Sequence, residues 1–189
     1  MDASAMFKQL NGIHHLSGEL EAHLNSVLKQ EQHSKKSLLL KAGHIARRIY
    51  FVEKGFVRAF YHKNDSAYTT WFMGQNEFII SVYSFFSQKP SFENIEILED
   101  STLLSITWEQ LQDTYKRFPE FNITGRIITE QYYIRSEERT IELQTLTAQQ
   151  RYQKLIGTYP QILQKASLGQ IASYLGIKQE TLSRIRAQH

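Results

Sequence analysis

The stretch LGQIASYLGIKQETLSRIRAQH, residues 168–189, decides how the rest of the chain is read. At helical spacing Leu168, Ile171 and Leu175 form one apolar stripe, Leu182 and Ile185 form another, and Ile177 lies between them. Ala172 is small enough to let a second helix cross closely. Gly176 directly follows Leu175, where a helix end needs a left-handed residue that glycine adopts at least cost. Two short helices sharing one small core across a sharp corner are expected, the helix-turn-helix pattern whose second helix enters a DNA major groove. Gln179, Glu180 and Arg184 suit base edges, because arginine pairs with guanine, glutamine with adenine and glutamate with the cytosine amino group. Thr181, Ser183, Lys178, Arg186 and Lys165 suit phosphates, which fix register and supply salt-dependent affinity. A helical hairpin with no nucleic-acid role satisfies the same apolar spacing.

Charge favours the first reading. From residue 147 onward six basic residues face the single acid Glu180, a balance of +5, whereas the other 146 residues hold 16 basic and 18 acidic groups, a balance of −2. A basic tip on a nearly neutral body is the asymmetry expected where one end of a protein meets a polyanion.

Working back from the tip, TAQQRYQKLIGTYP (147–160) reads as a helix ended by Gly157 and Pro160. From 119 to 146 a long helix is expected, in which Ile127, Ile134 and Ile141 recur every seven residues among many charges. Such a narrow seam suits pairing with a second copy of itself, although a helix lying along its own β domain gives the same period. TWEQLQDTYKRFP (107–119) is a further helix with Thr107 as N-cap and Glu109 in its first turn. Residues 35–107 are short β-rich runs, SLLLKAG, RRIYFVEKGFVRAFYHKNDSAYTTWFMGQNEFIIS and NIEILEDSTLLSIT, with turns expected at Gly43, Glu53-Lys54-Gly55, Asn64-Asp65 and Gly74-Gln75-Asn76. Phe7, Leu10, Ile13, Leu16, Leu20, Leu24 and Leu28 mark one or two N-terminal helices over residues 6–30, broken near Gly12 or Gly18. The fold class is α+β: N-terminal helices and an antiparallel β-roll, a long dimerisation helix and a C-terminal helix-turn-helix. Its expected units are 1–118, 119–146 and 147–189.

Cysteine is absent, which excludes disulfides, thiolate metal sites, thiol catalysis and cysteine-held iron–sulfur clusters. His14, His15, His23, His33, His44, His62 and His189 have no ligand spacing and are each expected at the surface, so neither a metal site nor a haem ligand is read here. No segment approaches about 18 uninterrupted apolar residues and the N-terminus has no signal pattern, so a cytoplasmic location and no membrane partner are expected. No catalytic constellation stands out, and the chain reads as a non-enzyme.

The order of β-roll, long helix and terminal helical corner resembles the Crp/Fnr family of bacterial transcription regulators. IYFVEKGFVRAFY (49–61) is similar to the family's strand–turn–strand with its glycine at Gly55, TTWFMGQNEFI (69–79) to the stretch entering the ligand pocket, and GIKQETLSRIR (176–186) to its recognition helix. The resemblance implies a cyclic-nucleotide-binding β-roll, a homodimer joined through the long helix, a palindromic double-stranded operator and RNA polymerase as a further partner. It also implies a phosphate cassette of glycine, glutamate and arginine, and here the chain departs from it. In FIISVYSFFSQKPSFEN (78–94) Ile80 and Ser81 stand where glycine and glutamate belong, and Ser91 follows Pro90 where arginine belongs. An anionic ligand loses its charge partner, which argues against cyclic AMP. Phe78, Ser81, Tyr83, Phe85 and Ser91 are candidates to line a pocket for another small effector, or simply to pack a core. The family's members continue beyond the recognition helix into a wing, whereas this sequence runs five residues past Arg184, so fewer phosphate contacts are expected. A β-roll that binds a small molecule, with a helical tail serving assembly, is the competing reading.

Overall fold

The computed structural model describes residues 2–64 and 66–187. The expected turn residue Asp65 and the histidine at 189 lie outside the described residues. Two amphipathic helices open the chain, α1 (Ser4–Ile13) and α2 (Gly18–Val27). They break between Gly12 and Gly18, where the Ser17 hydroxyl accepts from the Leu20 amide and caps α2. Met6, Leu10, Leu16, Leu20 and Leu24 are buried against the sheet.

All strand pairs are antiparallel. The backbone of the sheet is a pair of long strands, β3 (Arg48–Lys63) and β6 (Asn94–Thr107), flanked by β1 (Lys29–His33) and β4 (Ser66–Met73) in the order β1-β6-β3-β4. β2 (Leu38–Leu40) adds to β6 and β5 (Phe78–Ile79) to β3. Two expectations are corrected here. The N-terminal helical pattern stops at Val27, because Lys29–His33 pairs residue for residue with Ser105 to Ser101 as an edge strand whose polar side chains carry no alternation. Gly55 is not in a turn: it sits inside β3, where the register slips repeatedly between Val52 and Val57. Its φ is +128°, and a Cβ there would lie 1.9 Å from Ser101 Oγ and 2.9 Å from Ser101 Cα. The bulge bends the long strand so that both halves stay on one rolled sheet.

After β5 comes a short helix α3 (Val82–Ser87), and after β6 the helix α4 (Trp108–Arg117). Thr107 caps α4 with Gln110 returning the bond, and Glu109 occupies the first turn. α5 (Phe121–Thr145) is the long helix, buried only at Phe121 and Thr124 near its start. α6 (Ala148–Thr158), a single turn α7 (Ile162–Lys165), α8 (Leu168–Tyr174) and α9 (Gln179–Ala187) complete the chain. Gly157 falls inside α6, whose last turn is closed by the Tyr159 amide bonding the Leu155 carbonyl.

Two apolar cores result. The first fills the space between the sheet, α1, α2, α4 and the start of α5. The second joins Phe56, Phe72 and Leu98 of the sheet to Tyr152, Leu155, Ile162, Ile171, Leu175, Leu182 and Ile185. The C-terminal helices are thus seated on the β-roll, and α8 lies against the free edge of β4: Ser173 Oγ accepts from the Thr69 amide at 2.9 Å and donates to the Ala67 carbonyl at 3.1 Å.

Candidate functional site

The first site is a cavity of about 370 Å³ between the sheet and the helices that cover it. β3, β4 and β6 supply Ile49, Trp71 and Ile106; α1 and α2 supply Met6 and Leu24; α5 supplies Ile128, Thr129, Tyr132 and Ser136. The cavity exists because α5 leaves the core after Thr124, so that its next turns run beside the sheet without filling the gap. Val82, Phe86 and Tyr133 line its solvent side and are exposed.

Of the expected pocket residues only Phe78 faces this cavity. Ser81 and Ser91 are buried, 3.2 Å apart, with Ser81 donating to Glu93 Oε1 at 2.8 Å and Ser91 donating to the Glu93 carbonyl at 2.9 Å. Phe85 is wholly buried in the first core, and Tyr83 stacks outside on Phe92 with ring centroids 4.8 Å apart. For Tyr83 and Phe85 the physical reason is the helical turn of α3, which buries Ser84 and Phe85 and turns Val82, Tyr83, Phe86 and Ser87 to solvent. Sequence reading missed Glu93, the one acidic residue of the cavity wall among the described residues. Burial pushes its carboxyl up from the usual range, while bonds from Ser81 and Thr70 pull it back. Nearby Tyr132 is raised as well, first by burial and then by Glu93. No arginine or lysine lines this cavity among the described residues.

The second site is the C-terminal corner. Ser167 caps α8 in a reciprocal pair with Gln170. At its other end the Ile177 amide reaches the Ala172 carbonyl at 3.0 Å and the Gly176 amide the Ser173 carbonyl at 3.1 Å, with Gly176 at φ +67°. This double closure fixes where α9 begins. Ile171, Ala172, Leu175, Leu182 and Ile185 are buried, with Leu168 and Ile177 packed beside them. Lys178, Gln179, Glu180, Ser183, Arg184 and Arg186 are exposed on the outer face, and Thr181 is half-buried. Lys165 differs: its ammonium pairs with Glu99 of β6, so its charge is engaged within the fold.

Between the two sites lies a knot of polar contacts. Glu77, after the β4 end, accepts from the Gly74 amide at 2.7 Å, from Arg135 Nη2 at 3.0 Å and from Tyr159 Oη at 2.7 Å. Arg139 lies over the Tyr174 ring at 3.8 Å and bonds its carbonyl; Arg151 Nε donates to the Leu175 carbonyl at 2.9 Å. On α5, Ile134 and Ile141 are each 56% exposed, while Ile127 is half-buried. His14, His23 and His33 are half-buried rather than at the surface, His23 bonding Thr114 at 3.0 Å.

Residues 30–118 match the family model of the cyclic nucleotide-binding domain. Among solved structures the chain is similar to FixK2 of Bradyrhizobium japonicum, with 19% identity over 86% of this chain and 84% of that one and a TM-score of 0.73. It is also similar to the c-di-GMP-responsive global regulator CLP of Xanthomonas campestris, with 13% identity, 91% of both chains and a TM-score of 0.71. The catabolite activator protein of Thermus thermophilus matches at 20% identity over 93% of this chain and 84% of that one, with a TM-score of 0.58. No curated protein matches the sequence. No helix among the described residues is long and apolar enough to cross a membrane. Residues 30–118 are therefore similar to the cyclic nucleotide-binding domain, set within a chain whose fold is Crp/Fnr-like.

Proposed function

We propose that the chain is a dimeric, sequence-specific DNA-binding transcription regulator of Crp/Fnr type, with a sensor β-roll over 1–118, a dimerisation helix over 119–146 and a helix-turn-helix unit over 147–189. The observation that carries this reading is the outer face of α9. Gln179, Glu180 and Arg184 stand exposed on a helix whose inner residues are buried and whose start is pinned at Gly176. They read base edges, while Lys178, Thr181, Ser183 and Arg186 hold phosphates; Lys165, already paired with Glu99, leaves that set. The exposed Ile134 and Ile141, continued by Ile127, form the seam for a second copy. Two-fold pairing then offers two recognition helices to a palindrome with half-sites about 34 Å apart. The partners are duplex DNA, the second protomer and RNA polymerase, and the setting is a bacterial cytoplasm. The protein acts by binding, not by catalysis.

Selection of bound sequences from random duplex DNA tests this. A two-fold symmetric site is expected. Arg184→Ala should weaken it by about 1–3 kcal/mol and relax one position, whereas Lys178→Ala should weaken all sequences alike. The seating of α8 on β4 favours one other reading, a small-molecule-binding β-roll with an assembly tail. On that reading no sequence is enriched.

A further inference from the structure

We propose that the cavity between the β-roll and α5 takes a small molecule with an apolar, ring-sized body and a hydrogen-bond-donating head, seated against Glu93 and Tyr132, and rejects anions, cyclic nucleotides included. This deepens the sensor half of the reading above and rests on it only for what ligand binding does to DNA affinity.

Size comes first. At about 370 Å³ the cavity lies within the range of small-molecule pockets, about 300–1,000 Å³. Its wall is aliphatic and aromatic: Leu24, Ile49, Trp71, Ile106 and Ile128 face the interior. Glu93 lies close enough to Tyr132 to act on its phenol and is the carboxylate acceptor among the described lining residues, while Tyr115, Thr129, Tyr133 and Ser136 add only neutral hydroxyls.

Charge decides the head. A phosphodiester needs cations or several free amide donors, because a buried anion without a partner is strongly disfavoured. The Arg135 guanidinium, 5.7 Å over the Trp71 ring, is paired with Glu77 and lines a separate smaller cleft. Where the family resemblance calls for a phosphate cassette, Ser81 and Ser91 spend their protons on Glu93, whose amide in turn donates to Ser91 Oγ at 3.0 Å. That cluster is closed on itself and already holds a carboxylate. An incoming anion finds its donors taken and a like charge beside them, whereas an amine or a hydroxyl finds an acceptor.

The full chain is titrated, without DNA, with N-phenyl-1-naphthylamine, a neutral apolar fluorophore carrying one N–H donor. A saturable rise in emission is expected. 2-Phenylethylamine and 2-phenylethanol should displace the probe, and phenylacetate, which keeps the body and reverses the head, should need at least tenfold more; cyclic AMP should not displace it. Glu93→Gln should narrow the gap between amine and acetate at least fivefold, and Thr129→Trp, on the exposed flank of α5, should abolish probe binding with the melting curve retained. Failure of the probe to bind, including through closure of the cavity by a second copy, overturns the proposal. So does displacement by phenylacetate or cyclic AMP at amine-like concentrations, or binding that Thr129→Trp and Glu93→Gln both leave unchanged. Because DNA is absent, none of these outcomes touches the regulator reading, and an unselective α9 would leave these results standing.

Discussion

Replacing Tyr159 by phenylalanine should loosen the C-terminal helices from the β-roll while sparing the sheet. Tyr159 follows α6, and its hydroxyl lies 2.7 Å from Glu77 Oε2 and 2.8 Å from the Phe72 carbonyl. One proton serves two acceptors, and the carboxylate is the stronger. A hydrogen bond to a charged group contributes about 1.5–3 kcal/mol. Glu77 keeps the Gly74 amide and Arg135 after the change, and its side chain remains 22% exposed, so water relieves part of the loss. The lower end, about 1.5 kcal/mol, is therefore the working value. The phenyl ring retains its edge contact with Phe56, centroid distance 5.2 Å, so no cavity opens. About 1.4 kcal/mol is tenfold in an equilibrium constant at room temperature. Amide hydrogen exchange read by mass spectrometry should show residues of α6 and α8 exchanging about tenfold faster, with the paired amides of β3 and β6 unchanged. Equal acceleration everywhere, or none in α6 and α8, would refute the assignment of this contact as the one that seats the helices.

Other changes probe other parts of the molecule. Ile134→Glu puts a charge in the middle of the proposed seam and should yield a monomer by light scattering with the β-roll's melting transition intact; a mutant that stays dimeric refutes that use of α5. For Glu93 the sign follows from burial: its native carboxyl holds a proton to higher pH than the unfolded chain does, so stability falls as pH rises from about 4.3 through the raised native value and levels off beyond it. The urea midpoint of wild type minus that of Glu93→Gln should accordingly decline with rising pH between 4 and 8, and a difference that is flat or climbs contradicts the burial argument. Gly55→Ala forces a side chain to φ +128° and against the Ser101 backbone, combining strain and overpacking of about 3–5 kcal/mol. The melting temperature should fall by roughly 6–20 °C, and a fall under about 3 °C would mean the bulge tolerates a Cβ.

What the sequence disclosed was set by how local each feature is. The corner at Gly176 was legible because its apolar spacing, its small residue Ala172 and its glycine all fall within twenty residues, and each is a property of the segment itself. Thr107 announced α4 for the same reason. β1 was illegible: Lys-Gln-Glu-Gln-His has neither alternation nor β-branched residues, and it is a strand only because β6 offers it an edge. Gly55 was read as a turn because glycine beside charged residues usually marks one, and the true cause, the approach of Ser101 from a strand 46 positions away, has no local signature. The cavity's lining has no local signature either. The expected pocket residues come from one continuous stretch, whereas the cavity draws single residues from the sheet and from helices at both ends of that domain. Glu93, Glu77 and Tyr159 are ordinary residues in the sequence; burial and partners far along the chain make them matter.

Trp71 connects the two halves of the proposed regulator. It lines the larger cavity, sits 5.7 Å from Tyr132, and forms part of the smaller cleft between α5 and the C-terminal helices. Arg135 rests over the same ring and holds Glu77, which holds Tyr159. A chain of contacts does not by itself make a coupling; a ligand shifts an equilibrium only by the difference in its affinity for two states. The molecule contains an element suited to having two states, since the C-terminal helices are seated by a few polar contacts and one shared apolar patch at the edge of β4. Along this chain a ligand at Trp71 or Tyr132 would reach Arg135, Glu77 and Tyr159 only if the seated and released forms bind it unequally. Reciprocity then fixes the sign: if the ligand favours the seated form, loosening that form with Tyr159→Phe must weaken the ligand, and if it favours the released form, the same substitution must tighten it.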